Sequence, residues 1–251
     1  MRNPKWHRDE IILALDLYFD SNRGTIEARN PNIIRLSEIL NQLPIFSNKP
    51  DRERFRNPNG VGLKLSNFLA IDPSYQGKGM NAYSKLDKEV FDEFFNDRQK
   101  LINIASEIKN IIKDDNLRQS LYKIEDDENT ETDEVKEGQV LYKLHKHRER
   151  NKQIVVSKKK SVWNATGKLA CEVCGFDFYQ TYGDLGWDFI ECHHKKPLSE
   201  YQAGDKTKIE DLAVVCANCH RMLHRKIGVL TVEQLKKKIK IYQSPHSGGK
   251  L

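Results

Sequence analysis

Two Cys-x-x-Cys pairs constrain the fold of this chain more than any other feature. Cys171 and Cys174 form the first pair, and Cys216 and Cys219 form the second. Four thiolates from two such pairs are the ligand set of a closed, tetrahedral zinc site. Because a closed site has no open position for chemistry, its role is to hold a small fold together. We therefore predict one structural Zn²⁺ that joins the two pairs.

Four histidines accompany the cysteine pairs. His193 and His194 lie between the pairs, whereas His220 and His224 follow the second pair. Residues four apart share one face of a helix, so the latter two can point at the same ion. This spacing suits a second metal site with open coordination positions. The alternative is a purely structural zinc finger in which the histidines are spare.

The same stretch resembles the HNH, or ββα-metal, nucleases. The resemblance rests on His193-His194 with Lys195-Lys196-Pro197-Leu198, on Asp211-Leu212, and on the run Cys216-x-x-Cys219-His220-Arg221-Met222-Leu223-His224. These motifs cover about a fifth of the chain. The resemblance implies a hairpin of two strands, near residues 188–194 and 212–216, and a helix that starts near Ala217 and crosses the hairpin.

The resemblance also implies a role for each residue of the motif. His194 would be the general base that activates water. His193 and His220 would be metal ligands, and His224 a further ligand or a phosphate contact. Asp211 stands where the family usually has its middle Asn, which ties the loop and orients the base. A carboxylate there can accept a hydrogen bond from the His194 ring, but it cannot donate one as Asn can.

Hydrolysis of a phosphodiester bond calls for this combination of groups. The reaction needs an in-line water, a base that deprotonates the water, and positive charge near the leaving oxygen. A histidine that is neutral near pH 7 is a suitable base. The catalytic ion is predicted to be a divalent metal, with Mn²⁺, Mg²⁺, Ni²⁺, Co²⁺ and Zn²⁺ as candidates. An all-imidazole site favours the transition metals over Mg²⁺.

The spacing of apolar residues predicts a mostly helical domain over residues 1–113, which we interpret as a DNA-recognition domain because a nuclease module this small usually needs a separate reader. A first helix has Asp9 and Glu10 in its first turn, and a second starts after the cap Asn30 with Pro31 as its first helical residue. A third helix is predicted over residues 61–70. The long periodic stretch over residues 86–113 is predicted to be helical, and it packs either on this domain or against a second copy of the chain.

Charge changes abruptly after this domain. Residues 126–134 are acidic and nearly without apolar side chains, which predicts a solvated linker over residues 114–139. Residues 140–170 are basic and predict a helix that leads into the nuclease module; this helix either contacts phosphates or is an ordinary solvated face. Thr231 and Gln234 occupy capping-box positions of a C-terminal helix. The predicted fold class is α+β, with the zinc-stapled HNH domain over residues 140–251.

Basic and polar side chains form a candidate DNA surface. In the first domain they surround turn signals at residues 57–60 and 72–79, for which two ordinary solvated loops are the alternative. In the nuclease module they lie on the basic lead-in helix and beside the histidines. The candidate DNA contacts are Arg52, Arg54, Arg56, Asn57, Lys64, Tyr75, Lys78, Arg148, Arg150 and Arg221.

The first domain carries a second, weaker resemblance. It rests on Trp6-x-Arg8-Asp9-Glu10-x-Ile12-x-Ala14-Leu15-Asp16-Leu17-Tyr18, on Phe55-Arg56-Asn57-Pro58-Asn59-Gly60-Val61, and on Lys64-Leu65-x-Asn67-Phe68. These runs look like the domain joined to HNH modules in bacterial McrA-like, modification-dependent (type IV) restriction enzymes. The resemblance implies antiviral defence through double-stranded DNA that carries a methylated base or a sulfur-substituted backbone.

Composition limits the setting in which the chain works. The net charge of +6 is compatible with a nucleic-acid partner. Four of the five cysteines lie in metal-type pairs, which indicates a reducing compartment, and Cys192 is predicted to be a buried small residue. No signal peptide or membrane span is predicted, so we expect a cytoplasmic protein with no membrane partner. The McrA-like resemblance implies that the source is bacterial. Because one HNH site cuts one strand, cutting both strands predicts a homodimer.

Three other functions are compatible with the sequence. The first is an HNH endonuclease that ignores DNA modification. The second is a DNA-binding zinc protein without catalysis. The third is a nuclease directed at RNA. Cleavage of modified and unmodified copies of one DNA distinguishes the first alternative from a modification-dependent enzyme. A variant of His194 distinguishes the second, because a non-catalytic protein would not change in any respect but binding.

Overall fold

The computed structural model of the chain describes residues 3–46, 49–77, 83–124, 140–141, 143–144, 147, 152–195, 207–224 and 230–243. The chain divides into two compact units. The first unit comprises Met1–Glu125 and Gly138–Leu141, and the second comprises Asp126–Glu137 and Tyr142–Leu251. Helices predominate, and a two-stranded sheet lies in the second unit. This agrees with the predicted combination of helices with a small hairpin.

The first unit is helical throughout its described elements. These are α1 (Arg8–Phe19), α2 (Pro31–Gln42), α3 (Pro58–Ile71), α4 (Lys85–Phe95), α5 (Arg98–Lys113) and α6 (Asp115–Tyr122). Helix α1 is buried along most of its length and packs against α2, α3, α4 and α5. Its apolar residues meet aromatic side chains of the surrounding helices, with Tyr18 in ring contact with Phe68 and Phe91. The core of the unit is therefore built around α1.

Helix starts in this unit follow the capping rules. His7 and Glu10 form a capping box at the start of α1, and Asn30 caps α2 with Pro31 as its first residue, as predicted. Asn57 and Pro58 do the same for α3, so the prediction that residues 57–60 form a separate turn is wrong. The Asn57 amide oxygen accepts from the Gly60 N–H at 2.9 Å, which makes this polar residue a helix cap.

Two other boundaries differ from the sequence prediction. The stretch 86–113 is two helices, because the chain leaves α4 at Asn96 and Asp97 caps α5 by accepting from the Lys100 N–H. The predicted linker at 114–139 begins too early, since residues 115–122 form α6, in which Leu121 is fully buried. A buried leucine ties α6 to the first unit despite the polar composition around it. Residues 125–139 lie outside the described residues.

The second unit contains α7 (Lys152–Thr166), the short α8 (Phe178–Tyr182), β1 (Glu191–His194), β2 (Leu212–Val215), α9 (Ala217–His224) and α10 (Val232–Gln243). The strands pair antiparallel, with His193 opposite Ala213 and His194 opposite Leu212. The hairpin and the helix that starts at Ala217 are where the sequence predicts them. Strand β1 begins three residues later than expected, after Asp188 adopts a positive φ of 56° that is incompatible with a strand.

The core of the second unit lies between the hairpin and its helices. All four residues of β2 are fully buried, and Cys192 of β1 is buried as predicted. Thr231 and Gln234 form the predicted capping box at the start of α10, with each side chain bonded to the backbone of the other residue. Among the described residues, none of the helices combines the length and apolar character that crossing a bilayer requires.

Candidate metal centre and nuclease site

The four cysteines of the two pairs lie together in the second unit. Cys171 and Cys174 come from a turn before α8, and Cys216 and Cys219 come from the junction of β2 with α9. Their Sγ atoms all lie within 4.8 Å of one another, and the Cys174 and Cys216 sulfurs are 3.7 Å apart. Tetrahedral zinc with Zn–S bonds of about 2.3 Å places its sulfurs roughly 3.8 Å apart. The cluster therefore fits a structural zinc ion.

Backbone pairing holds the first cysteine turn on the sheet. The Glu172 N–H donates to the Val214 carbonyl at 2.9 Å, and the Glu172 carboxylate accepts from the Val214 N–H at the same distance. The turn itself closes through a bond from the Gly175 N–H to the Cys171 carbonyl at 2.8 Å. Gly175 has a φ of 78°, a left-handed conformation that glycine adopts without a steric penalty. These bonds bring the first pair to the second.

The thiols of the cluster differ in acidity. Burial raises the pKa of Cys174 and of Cys219, and the neighbouring Cys171 raises that of Cys219 further. Burial also disfavours the Cys171 thiolate, but backbone N–H groups of Cys174, Cys216 and Val173 point at its sulfur and lower its pKa overall. Several thiolates so close together repel one another unless a cation lies among them. The donor set thus requires a metal dication to be fully ionised.

Three imidazoles form a second cluster on the same hairpin and helix. His193 comes from β1, and His220 and His224 come from successive turns of α9. One ring nitrogen from each lies within 4.8 Å of the others, and the Nε2 atoms of His220 and His224 are 2.9 Å apart. Two nitrogens bound to one ion at about 2.1 Å lie at a comparable separation. The cluster fits a divalent metal, and its three protein ligands leave further positions for water or substrate.

The position of Glu191 was not anticipated from the sequence. Its carboxylate oxygen Oε2 lies 2.5 Å from Nδ1 of His220, on the ring edge opposite the nitrogen that faces His224. Strand alternation places Glu191 and His193 on one side of β1. This spacing is the sequence signal from which Glu191 could have been recognised. An acidic residue two positions before a metal-type histidine on a predicted strand is therefore a candidate partner of the site.

His194 and Asp211 occupy the edge of the same hairpin. His194 is 2 % exposed, and its Nε2 lies 3.3 Å from the Thr207 hydroxyl. The Asp211 carboxylate accepts from the Lys208 N–H at 2.9 Å, and its carbonyl accepts from the Lys195 N–H at 2.7 Å. Asp211 therefore fixes the loop beside the hairpin, as the family's middle residue is expected to do. The bond between its carboxylate and the His194 ring stays a prediction.

Two of the candidate DNA contacts are core residues, which corrects the prediction for both. Arg56 is 5 % exposed and binds both carboxylate oxygens of Glu10, at 2.6 and 2.7 Å. Lys64 is 6 % exposed and donates to Asp87 at 2.7 Å. A buried charge needs a partner that offsets its lost hydration, and these carboxylates supply it. Neither cation is presented to a ligand in solution.

The remaining candidate DNA contacts differ in exposure and in whether the structure describes them. Arg52, Arg54, Tyr75 and Arg221 are exposed, and their contact with DNA stays a prediction. Asn57 is the α3 cap described above. Lys78, Arg148 and Arg150 lie outside the described residues.

The comparison with known families agrees with the site geometry. Residues 171–226 match the family model of the HNH endonucleases, a stretch that contains both metal-type clusters, β1, β2 and α9. The match supports a nuclease function for this segment. It is about a fifth of the chain, and the family match does not include the first unit. No curated protein and no solved structure matches the chain.

Proposed function

We propose that the protein is a metal-dependent DNA endonuclease that restricts modified foreign DNA. The observation that carries the nuclease assignment is the His193, His220 and His224 cluster, which lies beside the Cys₄ cluster on the hairpin and helix of an HNH domain. The Cys₄ cluster fixes this small sheet and helix, since it joins the turn before β1 to the junction of β2 with α9. The histidines supply the open site that a structural zinc finger lacks.

The chain's own groups divide the work of hydrolysis. His193, His220 and His224 would hold one divalent ion, which when bound supplies positive charge to the leaving 3′ oxygen. His194 takes the proton from the attacking water, with Thr207 beside its Nε2 to fix the ring. Asp211 holds the loop that borders the base. The products are a 5′-phosphate and a 3′-hydroxyl, as the family resemblance implies.

The substrate assignment rests on the sequence of the first unit. Its resemblance to the domains joined to HNH modules in McrA-like enzymes supports recognition of a modified base or backbone. Double-stranded cutting by a domain with one catalytic site supports a homodimer, and the pattern of free cysteines supports a bacterial cytoplasm. Together these features describe a defence enzyme of the type IV restriction class.

A plasmid cleavage assay tests the proposal. Supercoiled plasmid is incubated with the wild type or His194→Ala in the presence of Mn²⁺, Mg²⁺, Ni²⁺ or Co²⁺. The substrates are unmodified DNA, cytosine-methylated DNA, adenine-methylated DNA, hydroxymethylated or glucosylated phage DNA, and DNA with phosphorothioate linkages. We expect cleavage of one modified substrate and its loss in His194→Ala, with DNA binding retained, since removing the base blocks the chemistry and not the binding.

Other outcomes assign the alternative functions. Equal cleavage of every DNA keeps the nuclease and removes the modification requirement. Binding without cleavage, unchanged in His194→Ala, identifies a non-catalytic zinc protein. Cleavage of RNA in preference to DNA changes the substrate class. Thr181→Ala is a control, because the Thr181 hydroxyl donates to the carbonyl of Asp177, the residue before α8, and Thr181 is not one of the clustered histidines.

A further inference from the structure

The His220 ring is contacted at both of its nitrogens. Nε2 faces the Nε2 of His224 at 2.9 Å, and Nδ1 faces the Glu191 carboxylate at 2.5 Å. One ring nitrogen of each of these two histidines lies within 4.8 Å of the other and of a ring nitrogen of His193. Nε2 of His220 therefore faces the histidine cluster, and Nδ1 of the same ring faces a carboxylate.

The carboxylate determines which nitrogen of His220 can bind a metal. An ionised carboxylate only accepts hydrogen bonds, so Nδ1 must carry the proton that the 2.5 Å contact requires. A neutral imidazole with a proton on Nδ1 has its lone pair on Nε2, which is the atom directed at His224 and the cluster. The contact also prevents rotation of the ring about its side-chain bonds.

Strand β1 places this carboxylate by its geometry. Glu191 is its first residue and pairs with Val215, while His193 pairs with Ala213 two positions along the ladder. Side chains two apart on a strand share a face, so one strand supplies both a ligand and the partner of another ligand. The Glu191 side chain is 44 % exposed, so its oxygens are also accessible to water. The 2.5 Å distance between Oε2 and Nδ1 nevertheless shows that the carboxylate is directed at His220.

We infer that Glu191 is a positioning residue of the catalytic metal site: it holds His220 in the tautomer and orientation that bind the ion through Nε2. This inference deepens the proposed function, because it rests on the histidine cluster being the catalytic metal site. Carboxylate partners of metal-bound histidines increase ligand basicity, and their loss typically costs about 10- to 100-fold in metal affinity. Glu191 acts through His220 and does not bind the ion or the substrate itself.

Metal binding tests the inference without any cleavage assay. Ni²⁺ is titrated calorimetrically into the full-length, zinc-loaded protein, with His220→Ala as the reference that lacks the site. We expect Glu191→Ala to raise the Ni²⁺ Kd about 10- to 100-fold. Glu191→Gln should raise it less, because the amide oxygen can still accept from Nδ1. Glu233→Gln is the control, because it removes an exposed carboxylate from α10 in the same unit and should leave the Kd unchanged.

A spectroscopic measurement separates positioning from a general loss of structure. Long-range ¹H–¹⁵N spectra of the imidazoles report which nitrogen of His220 carries the proton. We expect the Nδ1–H form in the wild type and a mixture of tautomers in Glu191→Ala. An unchanged Ni²⁺ Kd in a folded Glu191→Ala, or an Nε2–H tautomer in the wild type, overturns the inference. If no DNA is cleaved but the Kd shifts as expected, the proposed function fails, and Glu191 keeps its positioning role at a metal site that is not catalytic.

Discussion

Arg56 illustrates how a charged residue can belong to a protein core. Its guanidinium bonds to both oxygens of Glu10 and to the carbonyls of Pro4 and Lys5, and it lies 4.8 Å from the centre of the Trp6 ring. The ion pair joins the start of α1 to the segment that precedes α3. Because α1 is the centre of the first unit, this pair connects the chain terminus to the core.

We expect Arg56→Met to destabilise the first unit by about 3–5 kcal/mol, because Glu10 is left as a buried carboxylate without a counter-charge. The measurement is urea unfolding of the full-length protein. Arg52→Ala is the matched control: it removes an exposed arginine from the same segment and should change stability by less than about 0.5 kcal/mol. A double Glu10→Met, Arg56→Met variant should recover much of the loss. An Arg56→Met protein as stable as the wild type contradicts the pairing.

Substitutions of Asp211 show whether the loop beside His194 needs a negative charge at this position or only a hydrogen-bond acceptor. Its bond to the Lys208 N–H needs only an acceptor, which an amide oxygen also supplies. We therefore expect Asp211→Asn to keep cleavage within a few-fold of wild type. Asp211→Ala should lose about 1 kcal/mol of capping energy and, through displacement of the loop beside His194, about 10-fold or more in cleavage rate. Equal losses in both variants would instead indicate that the negative charge itself is required.

The sequence specifies some residues of this site better than others, for a physical reason. Metal ligands lie at spacings set by local turns and helix periodicity, so Cys171, Cys174, His220 and His224 can be found from short runs. An ion pair between residues distant in the chain has no such local pattern. Glu10 and Arg56 are 46 positions apart, and Lys64 and Asp87 are 23 apart, so both cations were predicted to be on the surface.

At the scale of elements, the helix boundaries depend on short polar segments with more than one interpretation. Asn30-Pro31 and Asn57-Pro58 both start helices, but the glycine that follows Asn59 made the second resemble a turn. Asn96-Asp97 interrupts a stretch whose apolar spacing continues across the break, so periodicity alone joins α4 to α5. In α6 the burial of Leu121 holds a helix whose other side chains are mostly polar. The hairpin could be predicted because the metal-type residues His193 and Cys216 directly accompany its two strands, one of which is a short apolar run.

Zinc binding should govern the stability of the second unit alone. The Cys₄ cluster joins the turn before α8 to the start of α9, so its loss releases both from the sheet. In a His220→Ala background, which removes the other metal site, we expect one zinc per chain and its loss in Cys216→Ala. Binding of structural zinc contributes about 10–16 kcal/mol in small zinc domains, so the second unit should unfold while amide signals of the first unit persist.

Cys192 provides the control for this experiment. It is buried in β1 but is not one of the four clustered sulfurs. Cys192→Ala should keep one zinc per chain, measured by mass spectrometry of the metal content, and lose no more than about 2 kcal/mol of stability. Loss of zinc from Cys192→Ala, or a folded second unit in Cys216→Ala without zinc, would contradict the assignment of the ligands.

At the scale of the whole molecule, charge is divided unevenly along the chain. Residues 140–251 carry 21 basic and 11 acidic side chains, a net charge of +10, whereas residues 1–139 carry 21 basic and 25 acidic side chains, a net charge of −4. Positive charge gives affinity for the phosphate backbone without regard to sequence. The part that contains the HNH match is therefore suited to bind a polyanion such as DNA without regard to its sequence. Charge does not identify a modified base, so the proposed recognition of modified DNA would require specific contacts, which the proposal assigns to the first unit.

The strand count of the products tests the proposed homodimer. The described residues contain one histidine cluster, which in the proposed nuclease cuts one strand at a time. A dimer that holds two clusters on one site should therefore convert supercoiled plasmid directly to linear DNA. When wild type is mixed with a large excess of His194→Ala, most active chains should pair with an inactive one. We then expect nicked circles to replace linear product, as resolved on an agarose gel. A monomer that cuts each strand independently would instead give the same ratio of nicked to linear DNA at equal extents of reaction, with or without the inactive variant.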